Sequence, residues 1–329
     1  MKQQKMMAIK LVGKCEGNDL IPVLIERPII KEGFVLIKVQ AFGINESEIT
    51  SRRGESSADF SFPRILGIEG VGIIYEVTSN SRFKIGQKVA TMMGGLGRSI
   101  DGSYAEYMLV REENIIPLDT NLDWDVVGAL PEMLQTAYGS LTIGLKIKKG
   151  DILLIRGGTS TVGLMALVLA KRLGATVITT SRKIEKLETL RLHGADYALV
   201  DNQEIEKEIK KITPQGVDLV LELVGFTTLF QSMSLTRKGG RVCFTGALAG
   251  QWTLNNFSPF RIPTGVYLTS YAGGANDLPA SIFNSILKGI ENQEITVPIA
   301  KVYHGLGEVV QAQKNLESGK YIGKHVVVL

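Results

Sequence analysis

The stretch Ile152-Leu-Leu-Ile-Arg-Gly-Gly-Thr-Ser-Thr-Val-Gly163, running into Leu164-Met-Ala-Leu-Val-Leu-Ala170, constrains the fold of this chain more than any other. A short apolar run, a pair of glycines and then apolar residues at helical spacing predict a buried strand, a tight turn and a helix. The theme repeats downstream. Strands are predicted over 151–156, 176–180, 197–200, 217–222 and 241–245. Helices are predicted over 124–144, 161–173, 183–193, 203–212 and 226–236. Strict alternation of strand and helix demands crossover connections, hence a parallel sheet with helices on both faces: a doubly wound α/β unit.

The flanks read differently. Up to about residue 120 the chain is short strands and turns, with an alternating pattern at 35–41, a buried-strand pattern at 71–77 and a strand at 86–90 leading into a glycine-rich loop. The end of the chain holds helices near 278–291 and 306–318 and a strand at 325–329. A β-rich domain interrupted by the α/β unit is the simplest account, with segments 1–122, 123–264 and 265–329, and 329 residues suffice for two cores.

Composition removes several function classes. Hydrophobic residues make up 44% and charged residues 21%, ordinary for a globular protein in water. The net charge of +4 comes from 37 basic against 33 acidic residues without a basic block, so no nucleic-acid partner is expected. No run approaches the ~18 apolar residues of a membrane span, and the first residues lack the apolar core of a secretory signal. The two cysteines, Cys15 and Cys243, provide neither a disulfide framework nor a cysteine metal cluster, which fits the reducing cytoplasm.

The glycine turn carries the first chemistry. Gly157 and Gly158 end the strand, Gly163 opens the helix, and Ser160 stands where a G-x-G-x-x-G motif has its middle glycine. The N–H groups of Thr161, Val162 and Gly163 at the helix start suit an anionic pyrophosphate. Taken alone, the turn reads equally well as a plain strand-to-helix connection. The end of the next strand, Thr179-Thr-Ser-Arg-Lys183, adds weight, because an acidic residue there would select a cofactor without a 2′-phosphate. Arg182 can grip a phosphate bidentately, Ser181 can donate to it, and Lys186 adds a point charge one turn on. The expected cofactor is therefore NADPH.

Further landmarks run in order along the chain: 41–45 (AFGIN), 63–72 (PRILGIEGVG), 86–90 (GQKVA), 102–107 (GSYAEY), 129–138 (ALPEMLQTAY), 239–242 (GGRV) and Gly323-Lys324. In this order they resemble the medium-chain dehydrogenase/reductase superfamily, in its zinc-independent quinone oxidoreductase branch. The resemblance implies a GroES-like catalytic domain built from both chain ends around a Rossmann domain, with the cofactor in the cleft. It also implies a homodimer formed through edge strands such as 265–270.

Zinc relatives in this superfamily carry a cysteine at the place of Asn45, a histidine at Ile68 and a cysteine near Glu132, so no tetrahedral zinc site is expected. The resemblance assigns Asn45 to face the nicotinamide as donor to a substrate oxygen and Thr136 to contact the ring. It places Glu48, Thr50, Arg52 and Tyr104 about the substrate pocket. Thr50 stands where a tyrosine is frequent, Glu48 and Arg52 could equally pair along a helix, and Tyr104, a loop aromatic, is more often packing than pocket lining. Val224, Phe244, Gly323 and Lys324 join the glycine turn as cofactor contacts, and His193 and His304 receive no role. The expected activity is hydride transfer from NADPH to an electrophilic acceptor, a quinone or an enone. The alternatives are an enoyl-thioester reductase and a non-enzymatic NADPH sensor or scaffold.

Overall fold

A computed structural model describes residues 4–56 and 60–329. The chain divides into two compact units, one made of Met1–Gln135 with Gly274–Leu329 and the other of Thr136–Gly273.

The first unit is organised on the long strand Phe34–Ile44, buried along most of its length. Beside it lie Glu69–Val77 and Lys324–Val328, both antiparallel to it, so the end of the chain completes a sheet begun at its start. The seven-stranded sheet runs Ile299–His304, Lys324–Val328, Phe34–Ile44, Glu69–Val77, Lys88–Met92 and Ile115–Pro117, with Tyr107–Arg111 also paired to Phe34–Ile44. Val35, Ile37, Val39, Phe42, Val327 and Tyr303 share one apolar core with Leu66, Val89 and Val110. The backbones approach so closely that Gly72, paired with Val39, could not hold a Cβ without overlapping the Lys38 carbonyl.

The second unit is a six-stranded parallel sheet in the order Tyr197–Val200, Thr176–Ser181, Ile152–Arg156, Val217–Glu222, Thr236–Phe244 and Tyr267–Ser270. Leu154, Ile178, Val217, Val220 and Val242 form its core with Ile205, Ile209, Leu229 and Met233 from the crossover helices. The chain winds away from Ile152–Arg156 in both directions, and ligands bind such sheets at that switch point, beyond the carboxyl ends of the strands.

The expected doubly wound unit is present, with two differences. Tyr267–Ser270, assigned to the catalytic domain at 265–329, pairs in parallel with Thr236–Phe244 and belongs to the Rossmann sheet. The compact unit accordingly closes at Gly273 and not at 264. The expected helix 124–144 is Trp124–Gly128, then Pro131–Gly139, then a wider π turn at Ser140–Gly144. Pro131 lacks an N–H and its ring crowds the preceding residue, which favours a fresh helix start there. The units divide inside that second helix, at 135/136 and not at 122/123.

Gly72→Ala tests the close approach of the central strands. With backbone as the obstacle, the substitution should lower stability by about 2–4 kcal/mol, as overpacking without relief does. A urea midpoint equal to that of the wild type would contradict it.

Candidate functional site

The Rossmann unit holds a cavity of about 270 Å³ lined by Gly157, Thr180, Ser181, Arg182, Asp201 and Val224 among others. Local sequence explains its shape. Gly157 turns with φ +82°, and Gly163 packs on Gly157 and Gly158 so tightly that a Cβ would meet their backbone. Ser160 caps the helix Thr161–Arg172, its Oγ accepting from Gly163 N at 3.1 Å and donating to Gly157 O at 2.8 Å. A serine at the middle-glycine position is thus a helix cap, and the remaining N–H groups of Thr161 and Val162 are left for an anion.

Ser181 is buried, and its Oγ accepts from Lys183 N at 3.1 Å. Arg182 is exposed and has no hydrogen bond or ion pair among the described residues, so its guanidinium is available at the cavity wall. Lys186, half-buried, has its pKa lowered by burial and by Lys183. Phe244 packs its ring on Phe226 at 5.1 Å, an aromatic contact rather than part of the cavity wall.

The GroES-like unit holds a sealed ionic centre. Lys324 has no exposed side-chain surface, and its Nζ lies 2.6 Å from Glu69 Oε1 and 3.3 Å from Glu132 Oε2. It also donates to Asn45 Oδ1 at 2.5 Å. Burial disfavours the Lys324 charge, but the charges of Glu69, Glu132 and Glu48 outweigh it and its pKa is raised. Gly43 makes the room, since a Cβ there would collide with Lys324 Cε and Glu69 Oε1.

Glu48 completes the centre from the helix Glu46–Arg52. Its carboxyl accepts from Asn45 N at 2.6 Å, Ile68 N at 2.9 Å and Tyr104 Oη at 3.2 Å. Burial pushes its pKa up to about 7, against the backbone hydrogen bonds that favour its charge.

Several sequence expectations change here. Asn45 was expected to offer its amide to a substrate, yet Nδ2 donates to Glu69 Oε1 at 2.9 Å and Glu48 Oε1 at 3.4 Å, and the residue is 8% exposed. Lys324 was expected on the cofactor and instead serves the carboxylates. Gly323, expected beside it, sits at φ +109° where a Cβ would overlap Pro298 O. Glu48 and Arg52 lie buried rather than at a pocket mouth, and they do not pair: Arg52 Nη2 bonds Glu317 Oε1 at 2.9 Å. Tyr104 is wholly buried, its ring stacked on Phe42 at 5.0 Å and its hydroxyl held between Glu48 and Gln313. Thr50 turns its Oγ1 back to Glu46 O at 3.1 Å, a bond within its own helix. Thr136 is half-buried at the start of the Rossmann unit and accepts Ser140 Oγ on its carbonyl at 2.7 Å.

Residues 31–120 match the alcohol dehydrogenase GroES-like domain and residues 161–286 the zinc-binding dehydrogenase family. The chain is 31% identical to the quinone oxidoreductase of Homo sapiens over 250 residues, covering 74% of each. It is 30% identical to the chloroplastic NADPH-dependent alkenal/one oxidoreductase of Arabidopsis thaliana over 242 residues, 71% of this chain and 59% of that protein. The quinone oxidoreductase structure from Pseudomonas syringae superposes with TM-score 0.87 at 24% identity, over 98% of this chain and all of that one, which shows the shared fold. This chain belongs to the medium-chain dehydrogenase/reductase superfamily, in its quinone oxidoreductase branch.

Zinc, named in the family description, does not fit the residues present. The resemblance puts Asn45 and Ile68 where zinc relatives carry ligands, neither residue being a thiolate or imidazole, and the oxygens of Asn45, Glu69 and Glu132 already surround an ammonium that would repel a dication. Among the described residues no group of His, Cys, Asp and Glu is arranged to hold a metal ion, and no helix is long and apolar enough to cross a membrane.

Lys324→Met would leave Glu69 and Glu132 without their cation and should cost about 3–5 kcal/mol, read by denaturant unfolding. Glu48 predicts a pH dependence. Between 4.5, the ordinary value, and about 7, the folded protein keeps a proton that the unfolded chain has lost. This stabilisation is complete below 4.5 and disappears as pH rises through 7, so the urea midpoint should fall from pH 5 to 8 and Glu48→Gln should flatten that fall.

Proposed function

We propose that this chain is an NADPH-dependent reductase that transfers hydride to a quinone or an α,β-unsaturated carbonyl without the help of zinc. The observation that carries the reading is the sealed ammonium of Lys324, with Asn45, Glu69 and Glu132 around it. By the resemblance, zinc relatives carry metal ligands at the places of Asn45, Ile68 and Glu132, and a lysine enclosed by carboxylates offers no Lewis acid for forming an alkoxide. The acceptor must then be electrophilic already.

Bound NADPH supplies the hydride. Gly157, Gly158 and the helix start at Ser160–Gly163 hold the pyrophosphate, and Ser181 and Arg182 take the 2′-phosphate. The guanidinium of Arg182 at the cavity wall favours the phosphorylated cofactor, since among the described residues no acidic side chain bonds it. The Arabidopsis relative, an NADPH-dependent alkenal/one oxidoreductase, supports both NADPH and the enone, and the human quinone oxidoreductase supports the quinone. A quinone or enone needs mainly proximity to the nicotinamide, and solvent delivers the final proton because the N–H groups of Asn45 are committed to Glu48 and Glu69. We place a homodimer contact at the edge strand Tyr267–Ser270, the last in its sheet.

NADPH should bind more tightly than NADH, and Arg182→Ala should weaken NADPH selectively by roughly 1.5–3 kcal/mol, the range for hydrogen bonds to a charged group. Stopped-flow NADPH oxidation should be rapid with benzoquinones, naphthoquinones or small enones, and slow in reverse with a secondary alcohol and NADP⁺. The purified protein should carry no stoichiometric zinc by elemental analysis. Rapid alcohol oxidation without acceptor reduction would reject the reaction class, and equal affinities for the two cofactors would reject the cofactor assignment.

A further inference from the structure

The Rossmann cavity contains a feature that the cofactor assignment leaves unexplained. A carboxylate, Asp201, lines the same cavity as Ser181 and Arg182. It lies just beyond the strand Tyr197–Val200, and its backbone N–H bonds Ser181 O at 2.8 Å, which fixes it beside the phosphate-reading pair. A bare negative charge at that place would oppose a 2′-phosphate, just as an acidic residue at the end of the preceding strand would.

Its partner comes from the turn strand. Arg156, the last residue of Ile152–Arg156, is 1% exposed and grips Asp201 with both arms, Nε to Oδ2 at 2.9 Å and Nη2 to Oδ1 at 2.6 Å. Both Nη groups also donate to Gln231 Oε1 at 3.2 Å, and Thr180 Oγ1 donates to Asp201 Oδ2 at 3.1 Å. Planar bidentate geometry holds the carboxylate in one orientation and cancels most of its field. The Asp201 side chain keeps 12% of its surface exposed, whereas the arginine is hidden behind it. A ligand therefore meets a neutralised carboxylate.

We propose that the buried Arg156–Asp201 pair determines specificity at the adenosine end of the cofactor site, Arg156 acting as the positioning residue that makes a cavity containing Asp201 tolerant of a 2′-phosphate. The proposal rests on the NADPH reading and adds a requirement to it. Arg182 attracts the phosphate, and that attraction survives only while Arg156 suppresses the opposing charge. NADH lacks the 2′-phosphate and is the internal control, since it shares every other contact.

The test is a titration of NADPH and NADH by fluorescence with wild type, Arg156→Met, Asp201→Asn and the double variant, at low and moderate salt. The wild-type ratio of the two Kd values tests the NADPH reading by itself. Arg156→Met should raise the NADPH Kd roughly ten-fold more than the NADH Kd, because an uncompensated charge at close range interacts by more than a factor of ten at the effective dielectric of a protein surface. Adding Asp201→Asn to Arg156→Met should recover most of that loss. Should Arg156→Met not fold, Asp201→Asn alone decides: it leaves the arginine charge unopposed and should shift the ratio toward NADPH several-fold, less so as salt rises. Equal weakening of both cofactors by Arg156→Met, no recovery in the double variant, or an unchanged ratio in Asp201→Asn would each overturn the proposal. A wild type that discriminates while the variants leave the ratio unmoved fails this inference alone. A wild type that does not discriminate fails the NADPH reading, while the shifts between variants still report on the pair.

Discussion

The contact on which the GroES-like unit depends is that of a single ammonium with two carboxylates. Lys324 is without solvent, and an unpaired charge there would be untenable. Its partners come from across the chain, 279 residues away at Asn45 and 192 away at Glu132, so the pairing ties the closing strand to the opening segments. Gly43 lacks the side chain that would block them, and Glu48 organises the same neighbourhood by holding Asn45 N and Ile68 N. Buried ion pairs add little net stability compared with apolar packing, and what this one supplies is registry. Only one alignment of Lys324–Val328 on Phe34–Ile44 brings the amine to the carboxylates.

The parts of the fold that were legible in the sequence are those buried on both faces. Ile152–Arg156 and Val217–Glu222 lie between helices, so they are written as apolar runs that a reader can find. Tyr267–Ser270 was expected as an edge strand only through the resemblance, and four mixed residues with exposed ends carry no pattern that says which sheet they join. The break at Pro131 was visible as a letter, but the apolar pattern on either side reads through it. Helix periodicity outweighed a local rule that the chain obeys.

The candidate site divides along the same line. Arg182, which lines the Rossmann cavity with Ser181, could be singled out because cations at a predicted helix start are locally unfavourable and point to an outside charge. Asn45, Glu48 and Lys324 could be named but not placed, because a charged side chain's partner at great sequence distance leaves no local pattern. A lysine immediately ahead of the buried run His325–Val327 was the one available signal, since such strands rarely begin with an unpaired charge. Arg156 was equally overlooked: it reads as the end of a strand, and its meaning comes from Asp201, which folding brings to its side. The two pairs differ in their use. The one around Lys324 is closed, whereas the one around Arg156 presents an oxygen to a cavity.

Gln135 Nε2 donates to Gly274 O at 2.7 Å, so the chain leaves the β-rich unit and returns to it at neighbouring points. This has a consequence for synthesis, which proceeds from the amino end. Every strand of the parallel sheet is made before the chain reaches Gly274, so the central unit can fold while its surroundings are incomplete. Residues 41–44 of the strand Phe34–Ile44 must wait with one edge bare, and Glu69 and Glu132 must wait in water, until Lys324–Val328 has been made. The interval is one in which an exposed strand edge invites wrong partners. Because the link through the central unit already holds its two ends together, the final strand closes a far shorter effective loop than its position in the sequence implies.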